Sequence, residues 1–155
     1  VGFRIGGGIL DGRFLNSFAH GLFGLHHGDF DRFRGGPPGF WEVLGGERYS
    51  SVILQKYSSE LDNGRAVLSA KVATKNRWRR NEIILLASGV ELADKFFSCL
   101  GRDQSIASFE SNKTTEMPNR FPKFEDLVKY VWRIYILGFF RSFINICLDK
   151  RNNFS

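Results

Sequence analysis

The spacing of apolar residues along the chain changes period several times. "VGFRI", residues 1–5, is a short apolar run that reads as a strand, and the glycines from Gly6 to Gly8 break it. Leu10, Phe14, Leu15 and Phe18 then recur at helical spacing and stop at Gly21. "GLFGLHH" predicts the next strand, "GGPPGF" a turn region, and "FWEVLGG" about two turns of helix closed by Gly45. "SSVILQKYSS" has the β-branched and aromatic content of a strand, and "SELDNG" is a turn with Asn-Gly as its signal. "RAVLSAKVAT" alternates Val67, Ser69 and Lys71 with Leu68, Ala70 and Val72, again as a strand. From Asn76 to Leu100 the pattern is helical, with Leu86, Val90, Ala93, Phe97 and Leu100 as its apolar stripe.

Strands alternating with helices predict an α/β domain with a mostly parallel sheet over residues 1–100. Residues 101–122 are polar and Pro-punctuated, a linker. Residues 123–151 form a long C-terminal helix, apolar nearly all round between Tyr130 and Leu148. Arg133 and Arg141 interrupt that run, and an Arg at mid-bilayer costs at least ~2.5 kcal/mol. From Arg120 to Arg151 seven Lys or Arg face three Asp or Glu, a net of +4. Two readings stay open: a helix packed against the domain or a neighbouring segment, and a basic amphipathic helix lying on a membrane surface. No internal repeat occurs.

A hydrophobic content of 43% supports a real core and excludes a disordered chain. Sixteen Phe and seventeen Gly point to a packed interior with many tight turns. The formal charge of +6 admits an anionic partner. The cluster "KVATKNRWRRNE" interleaves basic residues with Trp78, but its place at a helix start favours a solvated face over nucleic acid. Two distant cysteines, Cys99 and Cys147, exclude a disulfide framework and read as buried thiols. No signal peptide is recognisable, so a cytoplasmic location is expected. The only Met is Met117, and the opening inside a Gly-rich apolar run reads as a piece of a longer protein.

The richest chemistry lies in "HHGDFDRFRGG", residues 26–36. Adjacent residues on a strand point to opposite faces, so His26 and His27 cannot share one ion, and no HxH or HExxH spacing occurs. No metal site is expected. "RIGGGIL" is neither GxGxxG nor a P-loop, although its glycines require a tight turn or a close approach. His26 ends a strand, where α/β sheets bind ligands, and can move a proton near neutral pH. Asp62, in the turn after the next strand, could orient its imidazole.

The order of these pieces resembles the formyltransferase family, which includes methionyl-tRNA formyltransferase and glycinamide ribonucleotide formyltransferase. The family motif N-x-H-P-S-x-L-P-x-[YF]-[RK]-G is matched by "GLHHGDFDRFRG", and its L/I-D-x-G turn by "LDNG". Gly24 falls on the Asn, His26 on the catalytic His, Phe30 on the Leu, Arg34 on the basic residue, Gly35 on the closing Gly and Asp62 on the catalytic Asp. The wording "HHGD…RGGPPGFWE" is closer still to a formyltransferase-like group of large bacterial proteins linked to glycan metabolism. The resemblance covers residues 1–74.

It implies a Rossmann-like formyltransferase fold, represented by the C-terminal part of the catalytic domain, with a helical extension. It implies 10-formyltetrahydrofolate as co-substrate and a small-molecule amine, such as an amino sugar, as acceptor. His26 and Asp62 would be catalytic. Gly7, Gly8, Ile9, Leu10, Glu60 and Leu61 would line the folate pocket, with Arg34 and Gly35 beside the acceptor. A preceding segment or neighbouring domain would complete the sheet beyond residues 1–5. The departure is Gly24, where the family Asn donates to the oxyanion, and it raises the alternative of a catalytically degenerate binding or scaffold domain.

Overall fold

The computed structural model describes residues 1–5, 12–15, 17–29, 32–57, 65–102 and 119–152. Four strands form one sheet in chain order: β1 (Gly2–Arg4), β2 (Leu22–His27), β3 (Tyr49–Lys56) and β4 (Arg65–Ala73). A short helix, α1 (Gly12–Leu15), lies between β1 and β2, and α2 (Phe40–Gly45) between β2 and β3. Two long helices, α3 (Trp78–Gly101) and α4 (Phe124–Asn152), follow β4.

The α/β architecture is as expected, but the sheet is mixed rather than mostly parallel. Only β1 and β2 run parallel, with Phe3 beside Phe23. β2 pairs antiparallel with β3, placing His26 beside Ile53, and β3 pairs antiparallel with β4. For β3 and β4 the reason lies in the length of their connection. The segment from Lys56 to Arg65 is too short for a crossover, and a strand joined so closely can only return antiparallel.

The core lies between the sheet and α3. Phe23, Leu54, Val67 and Phe96 form one cluster, and Val52, Leu85 and Leu92 a second. The Phe23 and Phe96 rings sit 4.6 Å apart. The stripe expected to face this core is the wrong one. Leu86, Val90, Phe97 and Leu100 are exposed, while Asn81, Leu85, Ser88, Gly89, Leu92 and Phe96 are buried. The helix carries two adjacent apolar stripes, and close approach selects the one with the small residues. A Cβ on Gly89 would lie only 3.0 Å from Leu25 Cδ1 and 3.2 Å from His27 Nε2.

Asn81 sets the register of α3 on the sheet. Its Nδ2 donates to the Gly39 carbonyl at 3.1 Å and to Ser50 Oγ at 2.9 Å. Its Oδ1 accepts the Lys75 N–H at 3.0 Å. The start of α2, the start of β3 and the β4–α3 turn thus share one amide. α4 docks by its first turns on α2 and α3. Tyr130 Oη accepts the Trp78 N–H at 2.8 Å, its ring lies 5.6 Å from Phe40, and the Arg133 guanidinium packs over Gly46. The opposite side of α4 exposes Phe124, Trp132, Tyr135 and Phe139. Among the described residues no helix is long and apolar enough to cross a membrane.

Replacing Asn81 by Ala takes the hydrogen-bond partner from the buried Gly39 carbonyl and the half-buried Lys75 N–H, while Ser50 Oγ keeps its bond to Thr74 Oγ1. Asn81→Ala is expected to destabilise the fold by about 2–4 kcal/mol, seen as a lower denaturation midpoint at unchanged slope. A loss below about 0.5 kcal/mol would show that the amide is not a structural tie.

Candidate functional site

His26 is the penultimate residue of β2, and the chain turns back over it at once. Gly28 has φ 143°, a conformation L side chains rarely adopt, and a Cβ there would overlap the Phe33 carbonyl oxygen. The Gly28 N–H donates to the Ser51 carbonyl at 2.8 Å, and the Phe33 N–H to the Asp29 carbonyl at 3.0 Å. This turn brings the Phe33 backbone onto the imidazole of His26, which hydrogen-bonds to it. His27 points to the other face, as strand parity requires. Its Nε2 is buried next to Gly89 of α3, without a hydrogen-bond partner among the described residues.

The two histidines titrate low for related reasons. Burial pushes His26 down to about 4, with the neighbouring His27 and Arg34 charges adding to it. Asp29 and the Phe33 backbone bond act against this and are outweighed. Burial also lowers His27, opposed by Glu82. At neutral pH His26 is therefore an uncharged imidazole whose one N–H is held by the Phe33 backbone and whose other nitrogen can accept a proton.

The loop after His26 is tied down at its carbonyls. Trp41 Nε1 donates to Gly36 at 3.2 Å and Trp78 Nε1 to Pro38 at 3.0 Å. The Asn119 N–H donates to the Arg34 carbonyl at 2.6 Å, and Gly35 bridges to Asn119. Arg34 thus stands near His26 on a strapped backbone, with its charge felt by the imidazole. Arg32 is further out, in an exposed ion pair with Glu47 at 2.7 Å.

Of the residues expected at the site, His26, Arg34 and Gly35 come together here. Gly7, Gly8, Ile9, Leu10, Glu60, Leu61 and Asp62 lie outside the described residues, as does Phe30. The structure adds groups that sequence reasoning missed. Asp29, two residues after the strand, acts electrostatically on His26. Glu42 of α2 is 2% exposed, and its Oε1 has no hydrogen-bond partner among the described residues. Burial raises it to about 7, with Asp29 and Glu47 adding to the rise. A carboxylate on a six-residue helix carries no sequence signal of burial. Only the apolar neighbours Phe40 and Val43 hint at it.

The site is thus a neutral histidine at the end of β2 under a Gly-rich return loop. No family model and no curated protein matches the chain. Solved structures do. A sugar 3N-formyl transferase, WlaRD, determined in the presence of dTDP and 5-N-formyl-THF, superposes with a TM-score of 0.55 at 16% identity. The match covers 74% of this chain and 46% of that one. The fold is the formyltransferase fold.

PseJ from Anoxybacillus kamchatkensis, a formyltransferase, gives a TM-score of 0.55 at 19% identity over 80% of this chain and 64% of its own. Phosphoribosylglycinamide formyltransferase from Anaplasma phagocytophilum gives 0.55 at 20% identity over 61% and 48%. The chain therefore spans between about half and under two thirds of each of these formyltransferases.

The two shifted groups give the formyltransferase-fold domain opposed pH responses. His26 is depressed from 6.5 to about 4, so its contribution is lost as pH falls through that window. Glu42 is raised from 4.5 to about 7, so its contribution is present below 4.5 and lost as pH rises to 7. Glu42→Gln should therefore gain stability relative to the parent by about 1–3 kcal/mol between pH 4.5 and pH 8, in paired denaturation curves. A difference independent of pH would show that Glu42 does not titrate in this range.

Proposed function

We propose that the protein transfers a formyl group from 10-formyltetrahydrofolate to the amine of a small molecule, such as an amino sugar. The observation that carries this reading is the half-buried, uncharged His26 at the end of β2 in a formyltransferase fold. Enzymes of this fold include sugar N-formyltransferases, one of them crystallised with a formylated folate. The sequence match of "GLHHGDFDRFRG" and "LDNG" to the family motifs supports the same chemistry.

In the proposed reaction the amine nitrogen bonds to the formyl carbon, and the carbonyl electron pair moves onto oxygen. His26 takes the proton leaving the amine on Nε2, and the N–H formed there bonds to that oxygen. The intermediate collapses as the bond from carbon to N10 breaks, and the proton released by the amine ends on N10. Asp62 orients His26 in this scheme, Asp29 tunes its charge, and Arg34 and Gly35 border the acceptor. Gly7, Gly8, Ile9, Leu10, Glu60 and Leu61 are proposed to contact the folate. The second reading, a degenerate binding domain, draws on Gly24, which supplies no donor beside His26.

The test is release of tetrahydrofolate from 10-formyltetrahydrofolate by the intact protein, offered a panel of nucleotide-linked amino sugars. His26→Ala and Asp62→Asn should each lower turnover roughly 10²–10⁴-fold. Parent and His26→Ala proteins with the same background rate would sink the catalytic reading and leave the binding one.

A further inference from the structure

Gly24 stands two residues before His26 on β2, so the two positions share the face turned away from α3. Neighbouring positions on one face of a strand are about 6–7 Å apart. A side chain at residue 24 would thus stand beside the imidazole, and glycine provides none. The space is nevertheless filled. A Cβ on Gly24 would lie 2.9 Å from both Cε2 and the hydroxyl oxygen of Tyr57, and 3.2 Å from the Arg4 carbonyl oxygen.

Tyr57 comes from the far end of the neighbouring strand. It follows β3, and its N–H donates to the Leu22 carbonyl at 2.8 Å. The backbone of Tyr57 is therefore beside the start of β2, and its ring reaches along that strand as far as Gly24. The Arg4 guanidinium stands 5.3 Å from the ring centre and steadies it from β1. The phenol hydroxyl is the polar group that this packing delivers over the glycine.

We infer that the Tyr57 hydroxyl is a catalytic hydrogen-bond donor of the site, acting beside His26 on the oxygen of the tetrahedral intermediate. The inference rests on the formyl-transfer reading and names the residue that removes its main objection. The one N–H of the neutral His26 is held by the Phe33 backbone, whereas stabilising a developing oxyanion draws on several donors aimed at one point. As the amine adds to the formyl carbon, the Tyr57 O–H bonds to the oxygen that gains the electron pair. The phenol keeps its proton. The bond weakens as the carbonyl re-forms and N10 leaves with the proton from the amine, so Tyr57 returns unchanged. The same packing explains why residue 24 is glycine: any side chain would displace the ring.

The experiment uses the intact protein, 10-formyltetrahydrofolate and hydroxylamine, an acceptor small enough to need no pocket of its own. Tyr57→Phe keeps the ring over Gly24 and removes only the hydroxyl. Its kcat should fall about 10- to 100-fold, with KM for the folate within about two-fold of the parent. Tyr57→Ala combined with Gly24→Asn opens the space and returns a donor to it, and should recover at least about ten-fold over Tyr57→Ala alone. A parent that turns over while Tyr57→Phe matches its kcat overturns the role of Tyr57 and leaves formyl transfer standing. A parent that releases no tetrahydrofolate overturns formyl transfer and this role with it.

Discussion

The Asn81 side chain is fully buried, and its hydrogen bonds go to three segments that are far apart in sequence: the start of α2, the start of β3 and the turn into α3. A buried amide is costly unless all its bonds are made, so the three segments are held to one mutual geometry. That geometry fixes where the loop after β2 must end. Its beginning is fixed by β2 itself, and between these two anchors the chain has little choice but to fold back over His26. The indole bonds from Trp41 and Trp78 to loop carbonyls then hold the intervening backbone.

The return loop determines the charge of the site. By closing over His26 it removes water from the imidazole, and desolvation outweighs the carboxylate of Asp29 nearby. The same desolvation acts on Glu42 in the opposite sense, because burial penalises whichever form carries the charge. The region thus holds an uncharged base and a carboxyl that titrates near neutrality, joined by the charge of Asp29 that both feel. Of the two, Glu42 stands near the point of exchanging a proton at neutral pH, whereas His26 stays an uncharged imidazole there.

The described domain buries one face of α3 and one side of α4, and leaves apolar residues of both helices in solvent. On α3 these are Ile83, Leu86, Val90, Phe97 and Leu100; on α4 they include Phe124, Trp132, Tyr135 and Phe139. The first turns of α4 contact the rest of the fold through Tyr130 and Arg133, while its aromatic side is exposed.

Much of this was legible along the chain. Each strand and each of the three longer element-forming segments followed from local period and turn chemistry, and the opposite orientation of His26 and His27 followed from strand parity alone. The resemblance carried by "GLHHGDFDRFRG" led to the right fold, because the motif's spacing reflects a strand, a return loop and a turn. Other features depended on contacts between residues distant in sequence. The pairing sense of β3 depended on how little chain joins it to β4. Two apolar stripes of α3 looked alike until Gly89 and Asn81 met the sheet. The charge of His26 and Glu42 depended on water being excluded by other segments, and the tenant of the space at Gly24 came from the next strand. The sequence by itself determined the elements and the position of the histidine. Tertiary structure decided what surrounds it, since desolvation and steric occupancy belong to the assembled fold and not to any local stretch of chain.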